Sequence, residues 1–165
     1  MNALIEVSER EVERGGRPVI VSGTSSDAHT WNLVYLQLLV EELGYRVVNL
    51  GPCVPEELLV AACLRWRPMF VVISSVNGHG GQDGLRLIRL LRAESGLHDL
   101  PVVIGGKLGV GGADPRLITE LAAAGFDAVL DDGADGPVLL RRFADQLAAP
   151  RELPEIPGPR ARGAT

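Results

Sequence analysis

Between Pro18 and Leu147 the chain alternates, five times over, a short β-rich apolar run with a longer stretch of helical character. The runs are Pro18–Ser22, Arg46–Leu50, Phe70–Ser74, Pro101–Ile104 and Ala128–Leu130. Their near-continuous apolar character suits parallel strands covered on both faces, not a sheet with one wet face. The stretches between and after them are Thr30–Leu43, Pro55–Trp66, Gln82–Glu94, Pro115–Ala124 and Pro137–Leu147. Gly44 and Gly125 stand where helix C-caps belong, and Asp114-Pro115 reads as an N-cap followed by proline at the first helical position. Five β-α units in so short a chain predict a doubly wound α/β sandwich around a five-stranded parallel sheet.

The expected strand order is the flavodoxin-like 2-1-3-4-5, in which ligands bind beyond the carboxyl ends of the strands. That directs attention to four loops: Gly23–Thr30, Ser74–Gly81, Gly105–Gly112 and Asp131–Ala134. They concentrate glycines and small hydroxyls on one edge, a surface that lets a large ligand approach the backbone closely.

Length and charge narrow the rest. At 165 residues there is room for one ordinary domain. A net charge of −5 gives no broad basic footprint, so neither nucleic acid nor an anionic membrane is an expected partner. Two cysteines make neither a disulfide framework nor a four-thiolate zinc site, which points to a reducing compartment. The longest uncharged run, Pro68 to Gln82, is too short to span a bilayer, and Met1–Gly16 turns acidic where a secretion signal needs an apolar stretch. A cytoplasmic protein is expected. Residues 1–16 read as an N-terminal extension, 17–149 as the domain and 150–165 as a mobile tail holding four of the 11 prolines.

Asp27 and His29 stand two apart in the first of these loops, so the carboxylate can reach one imidazole nitrogen and leave the other on offer. Taken alone, the same pair also describes a surface Asp and His capping the next helix. A single histidine does not build a protein-only zinc site, and suits a metal held by its own macrocycle better.

Asp27-Ala28-His29, Ser74-Ser75-Val76 and Gly105-Gly106 occur in the order and spacing of D-x-H-x-x-G, S-x-L and G-G. In this the chain resembles the cobalamin (vitamin B12)-binding domain family, and most of all the small subunit of glutamate (methylaspartate) mutase. The resemblance runs over about residues 18 to 148 and includes Gly44–Gly51, Gly78-x-Gly80 and Gly125-Phe126-Asp127. It implies a Rossmann-like cobalamin-binding fold and a base-off cofactor whose cobalt takes a histidine ligand. His29 is then the metal ligand and Asp27 the group that holds its imidazole. Ser74 meets the displaced base, with Ser75 and Val76 beside it. Ser26, Ala28 and Thr30 flank the lower corrin face. Gly105 and Gly106, with Lys107, Leu108, Gly109, Val110 and Gly111, line the slot for the nucleotide tail, where a Cβ would meet the nucleotide.

The resemblance further implies adenosylcobalamin, no catalytic residue on this chain, and a larger barrel-type partner that binds a small amino acid or related acid. The alternative is a non-catalytic cobalamin carrier or sensor serving a methyltransferase or a regulator; a third is a domain that keeps the fold without the corrin. Departures from the pattern are Asn32 for the motif glycine, Val76 for leucine, Asn77 for a tyrosine, and Leu130–Ala134 for Y-P-P-G-T. Outside the motifs, His79 and His98 read as solvated and Cys63 as helix packing. The first helix reads as core with a face left for a partner.

Overall fold

The computed structural model describes residues 16–148 apart from 113, 132 and 134. The expected N-terminal extension, save Gly16, and the Pro-rich tail lie outside the described residues. Five parallel strands, β1 (Val19–Gly23), β2 (Val47–Asn49), β3 (Val71–Ser75), β4 (Val102–Gly106) and β5 (Ala128–Asp131), form one sheet in the order β2-β1-β3-β4-β5. The order is the one the alternation predicts. β1 and β3 are buried along their whole length, as the centre of a sheet covered on both faces requires.

Five helices cover the sheet: α1 (Trp31–Glu42), α2 (Glu56–Trp66), α3 (Gly80–Ala93), α4 (Pro115–Ala124) and α5 (Gly136–Ala148). Side chains of α2, α3 and α4 pack with Ile20, Ile73 and Ile104 in one core, and those of α1 and α5 pack with Val21, Val72 and Val103 in another. Successive residues of each strand therefore serve opposite layers. Asp114 caps α4 as expected, its side chain accepting from the Arg116 N–H at 2.9 Å.

α3 begins at Gly80, two residues ahead of the expected Gln82. Its glycines are contact points and not loop residues. A Cβ on Gly80 would lie 2.6 Å from Ser75 Cβ, and one on Gly84 2.7 Å from Ile104 Cδ1. Close seating on the sheet outweighs the roughly 1 kcal/mol that glycine costs inside a helix.

The end of β4 is equally tight. Gly106 has φ +102°, and a Cβ there would lie 2.2 Å from the Ser75 carbonyl oxygen. Gly111, by contrast, has open space around it. Gly106→Ala should therefore cost at least about 2 kcal/mol in urea unfolding, and Gly111→Ala no more than about 0.5 kcal/mol. Equal effects at the two positions would contradict this packing.

Candidate functional site

In register, Gly23 of β1 stands beside Ser74 of β3, and Ser74 beside Gly105 of β4, so the three loops leave the sheet side by side. Asp27 is 1% exposed, whereas Ser26, Ala28, His29 and Thr30 around it are exposed. Asp27 Oδ1 accepts from the His29 N–H at 3.0 Å and meets His29 Nδ1 at 2.6 Å. Asp27 Oδ2 accepts from the Val76 N–H at 2.5 Å. One carboxylate thus orients the imidazole and ties the D-x-H loop to the S-x-L loop. Burial by itself pushes the Asp27 carboxyl up; the hydrogen bonds from His29 and Val76 outweigh it and hold the carboxyl below its usual range. With Nδ1 held and half of the side chain exposed, Nε2 is the ring nitrogen left to bind a ligand.

The loop is braced from several sides. The Ser26 hydroxyl donates to Asp83 Oδ2 at 2.5 Å, and Asp83, buried in the first turn of α3, also pairs with Arg86. Asn77 Nδ2 donates to the Ser26 carbonyl at 2.9 Å and to its hydroxyl at 3.0 Å. Ser25 donates to Glu56 at 3.0 Å, and the Cys53 N–H to the Asp27 carbonyl at 2.9 Å. Sequence reasoning missed Asp83 and Glu56 as supports. Their only sequence signal is a carboxylate in the first turn of a helix, which ordinarily means the helix dipole.

Beside this loop, between α1 and α5, a slot of about 250 Å³ opens over the sheet, with Trp31, Asn32, Tyr35, Ser74, Gly105 and Leu130 among its walls. Val76 and Gly106 also line it. Asn32 is buried, and its Nδ2 donates to Ser74 Oγ at 2.7 Å. The glycines of β4 serve the chain itself: a Cβ on Gly105 would lie 3.0 Å from the Leu130 carbonyl oxygen, and Gly106 abuts Ser75. Beyond the room for a nucleotide that the resemblance implies, these glycines are therefore required by packing within the chain. Lys107, Leu108, Gly109, Val110 and Gly111 are not in the slot walls. Leu108 is buried in the core on the opposite face, and the Lys107 and Leu108 carbonyls accept from Gly78 and Gly81. Lys107, Val110 and Gly111 are exposed and Gly109 is half-buried. Ser75 is buried, its hydroxyl donating to Asn77 Oδ1 at 3.1 Å.

The remaining candidates stand apart. His79 is exposed at the start of α3, and His98 is exposed after the short 3-10 turn Ser95–Leu97. Cys63 is buried in α2, and burial pushes its thiol up to about 12, which leaves it inert near neutrality. Among the described residues no group of three or more His, Cys, Asp or Glu side chains is gathered to hold a metal ion, and no helix is long and apolar enough to cross a membrane.

The chain is thus a doubly wound α/β domain that presents one oriented imidazole beside a slot at the carboxyl edge of its sheet, the edge where such sheets bind ligands. Residues 17–140 match the family model described as "B12 binding domain", and the chain belongs to that family. It is 32% identical over 130 residues to the glutamate mutase sigma subunit of Carboxydothermus hydrogenoformans, covering 78% of this chain and 94% of that one. The glutamate mutase sigma subunit of Escherichia coli O157:H7 is 30% identical over 118 residues, covering 71% and 78%. A cobalamin-binding protein from Desulfitobacterium hafniense has a similar structure, with TM-score 0.61 and 26% identity over 77% of this chain and 59% of that one.

Cobalamin is the cofactor this family membership supports, and the residues present fit it. His29 offers a single, carboxylate-held nitrogen donor, which suits a cobalt ion whose other ligands belong to a corrin. Ser26, Ala28 and Thr30 beside it are exposed and so accessible to a large ligand.

Asp83 gives the bracing a pH signature. Burial pushes its carboxyl up, but hydrogen bonds from Ser26 and Arg86 and the Arg86 charge hold it below the ordinary 3.8. Its stabilising contribution is present above that ordinary value and is lost as pH falls through the lower, folded one. The urea midpoint should therefore drop less between about pH 5 and about pH 2.5 in Asp83→Asn than in the wild type. An equal drop in both would contradict the bracing.

Proposed function

We propose that the chain is the small, cobalamin-binding subunit of an adenosylcobalamin-dependent carbon-skeleton mutase of the glutamate mutase kind. The observation that carries this reading is the buried Asp27 carboxylate, which holds Nδ1 of the half-exposed His29 and leaves Nε2 as the ring nitrogen available to a ligand. His29 Nε2 ligates cobalt in place of the cofactor's dimethylbenzimidazole, and Asp27 raises the basicity of that nitrogen. Ser26, Ala28 and Thr30 lie against the lower face of the ring. Ser74 donates to the displaced base in the slot, whose walls include Val76, Gly105 and Gly106. Ser75, Lys107, Leu108, Gly109, Val110 and Gly111 support or border the neighbouring edge.

Adenosylcobalamin supplies a cobalt–carbon bond whose homolysis generates an organic radical. This chain holds the cofactor's lower face, fixes its orientation and shields its tail from water. The described residues include no second layer above the corrin surface to bind a substrate. In this reading a larger, barrel-type partner provides that surface and binds a small amino acid or related acid; the name "sigma subunit" borne by the relatives supports such a division. Alone, the chain isomerises nothing.

Gel filtration after mixing with adenosylcobalamin tests the reading. Corrin absorbance should co-elute with the wild type in a base-off form, and His29→Ala should lose or alter that spectrum. Asp27→Asn should weaken retention about 10- to 100-fold. Retention of an unchanged spectrum by His29→Ala would refute histidine ligation.

A further inference from the structure

Exposed apolar surface is gathered on one layer of the fold. Among the described residues ten large hydrophobic side chains are exposed, and six of them stand on α1 and α5: Trp31, Val34, Tyr35, Leu38, Val138 and Leu139. The opposite layer carries Leu58, Leu64 and Leu90, scattered over α2 and α3. The four on α1 are each at least half exposed and follow one another at intervals of three, one and three residues. They therefore form a single stripe along the outside of the helix. Contiguous apolar surface of this kind marks a place where another molecule binds.

Two features say what covers it. The intervals read the same from either end of the helix, so the stripe is complementary to itself. With a second α1 laid antiparallel across it, Trp31 of each copy meets Leu38 of the other, and Val34 meets Tyr35. The end charges fit the same arrangement. α1 has no acidic residue in its first turn and no side chain capping its N-terminus, whereas its last turn holds Glu41 and Glu42 and no base. Glu42 pairs with Arg141 of α5 at 2.6 Å. Glu41 is exposed, accepts from Gln37 of the same helix at 2.8 Å, and stands at the end its own helix dipole disfavours. In the antiparallel pair Glu41 of each copy lies beside the N-terminus of the other α1, the end that attracts a carboxylate. A twofold contact between identical surfaces meets both conditions.

We propose that this chain forms a twofold dimer through the outer face of α1, extended by Val138 and Leu139 of α5. Because the paired helices run antiparallel, the carboxyl edges of the two sheets point in opposite directions, and the two His29 side chains stand at opposite ends of the dimer. Trp31 and Tyr35 belong both to the stripe and to the slot's walls, so the contact borders the slot. The inference does not depend on what the slot holds.

Sedimentation equilibrium of the full chain, without cofactor, tests it. The wild type should give twice the 17.6 kDa of one chain, with a Kd of about 10 μM or tighter. Leu38→Glu, at an exposed position outside the slot walls, should weaken the association at least about 100-fold while circular dichroism stays native. In a Cys53→Ser background, oxidation should cross-link two copies of Val34→Cys across the axis and should not cross-link Glu41→Cys. A wild type that remains a monomer at about 100 μM would overturn the proposal and leave the face to a different protein. A dimer that Leu38→Glu leaves intact would overturn the assignment to this face, and cross-linking through Glu41→Cys would overturn the antiparallel arrangement. The wild-type mass needs no variant, so a poorly folding Leu38→Glu does not remove the test.

Discussion

Asp27 lies with its carboxylate buried between two loops that leave neighbouring strands, accepting at once from the His29 ring, the His29 main chain and the Val76 main chain. A carboxylate is expensive to bury unless its oxygens are occupied, and here both are. The arrangement depends on the strand order: β1 and β3 are neighbours, so residues far apart in sequence meet at one edge. His29 needs the carboxylate for its orientation, and the carboxylate needs the S-x-L loop to be tolerated where it lies.

The surroundings are built to keep that loop still. Asp83, Asn77, Glu56 and Cys53 each hold it from a different element, so the exposed imidazole stands on a rigid base. Rigidity serves the role proposed for His29, because a side chain held by the scaffold is oriented before any ligand arrives. The glycines of β3–α3 and β4 act in the same direction. They let α3 and the β4 loop sit against Ser75 at distances that a side chain would forbid. Asn32 then shares the slot with Ser74, turning a position that the family pattern leaves bare into a hydrogen-bonding one.

Much of this was legible in the sequence, for reasons that are mostly local. Continuous apolar runs identified all five strands, and Asp114-Pro115 with Gly125 bracketed α4 at its observed bounds. Asp27 and His29 could be paired because they are two residues apart. α3 began earlier than expected because Gly80 and Gly81 look like a loop until the sheet beneath them is known. The bonds Val76–Asp27, Ser26–Asp83 and Asn32–Ser74 join residues 49, 57 and 42 positions apart, and no spacing rule announces them. Of the slot's walls, Ser74, Val76, Gly105 and Gly106 stand in motifs the sequence displays, whereas Trp31 reads as part of an apolar helix and nothing in the sequence singles out Tyr35.

The central claim is that His29 Nε2 is the nitrogen on cobalt, and electron spin resonance of the cobalt(II) form bound to the full chain tests it most directly. A single nitrogen-14 ligand splits each cobalt line into three, and a nitrogen-15 ligand into two. With protein carrying nitrogen-15 only in histidine, and cofactor of natural abundance, the account predicts two-line splitting that disappears in His29→Ala. Three-line splitting that persists in the labelled protein would place the cofactor's own base on cobalt and contradict it.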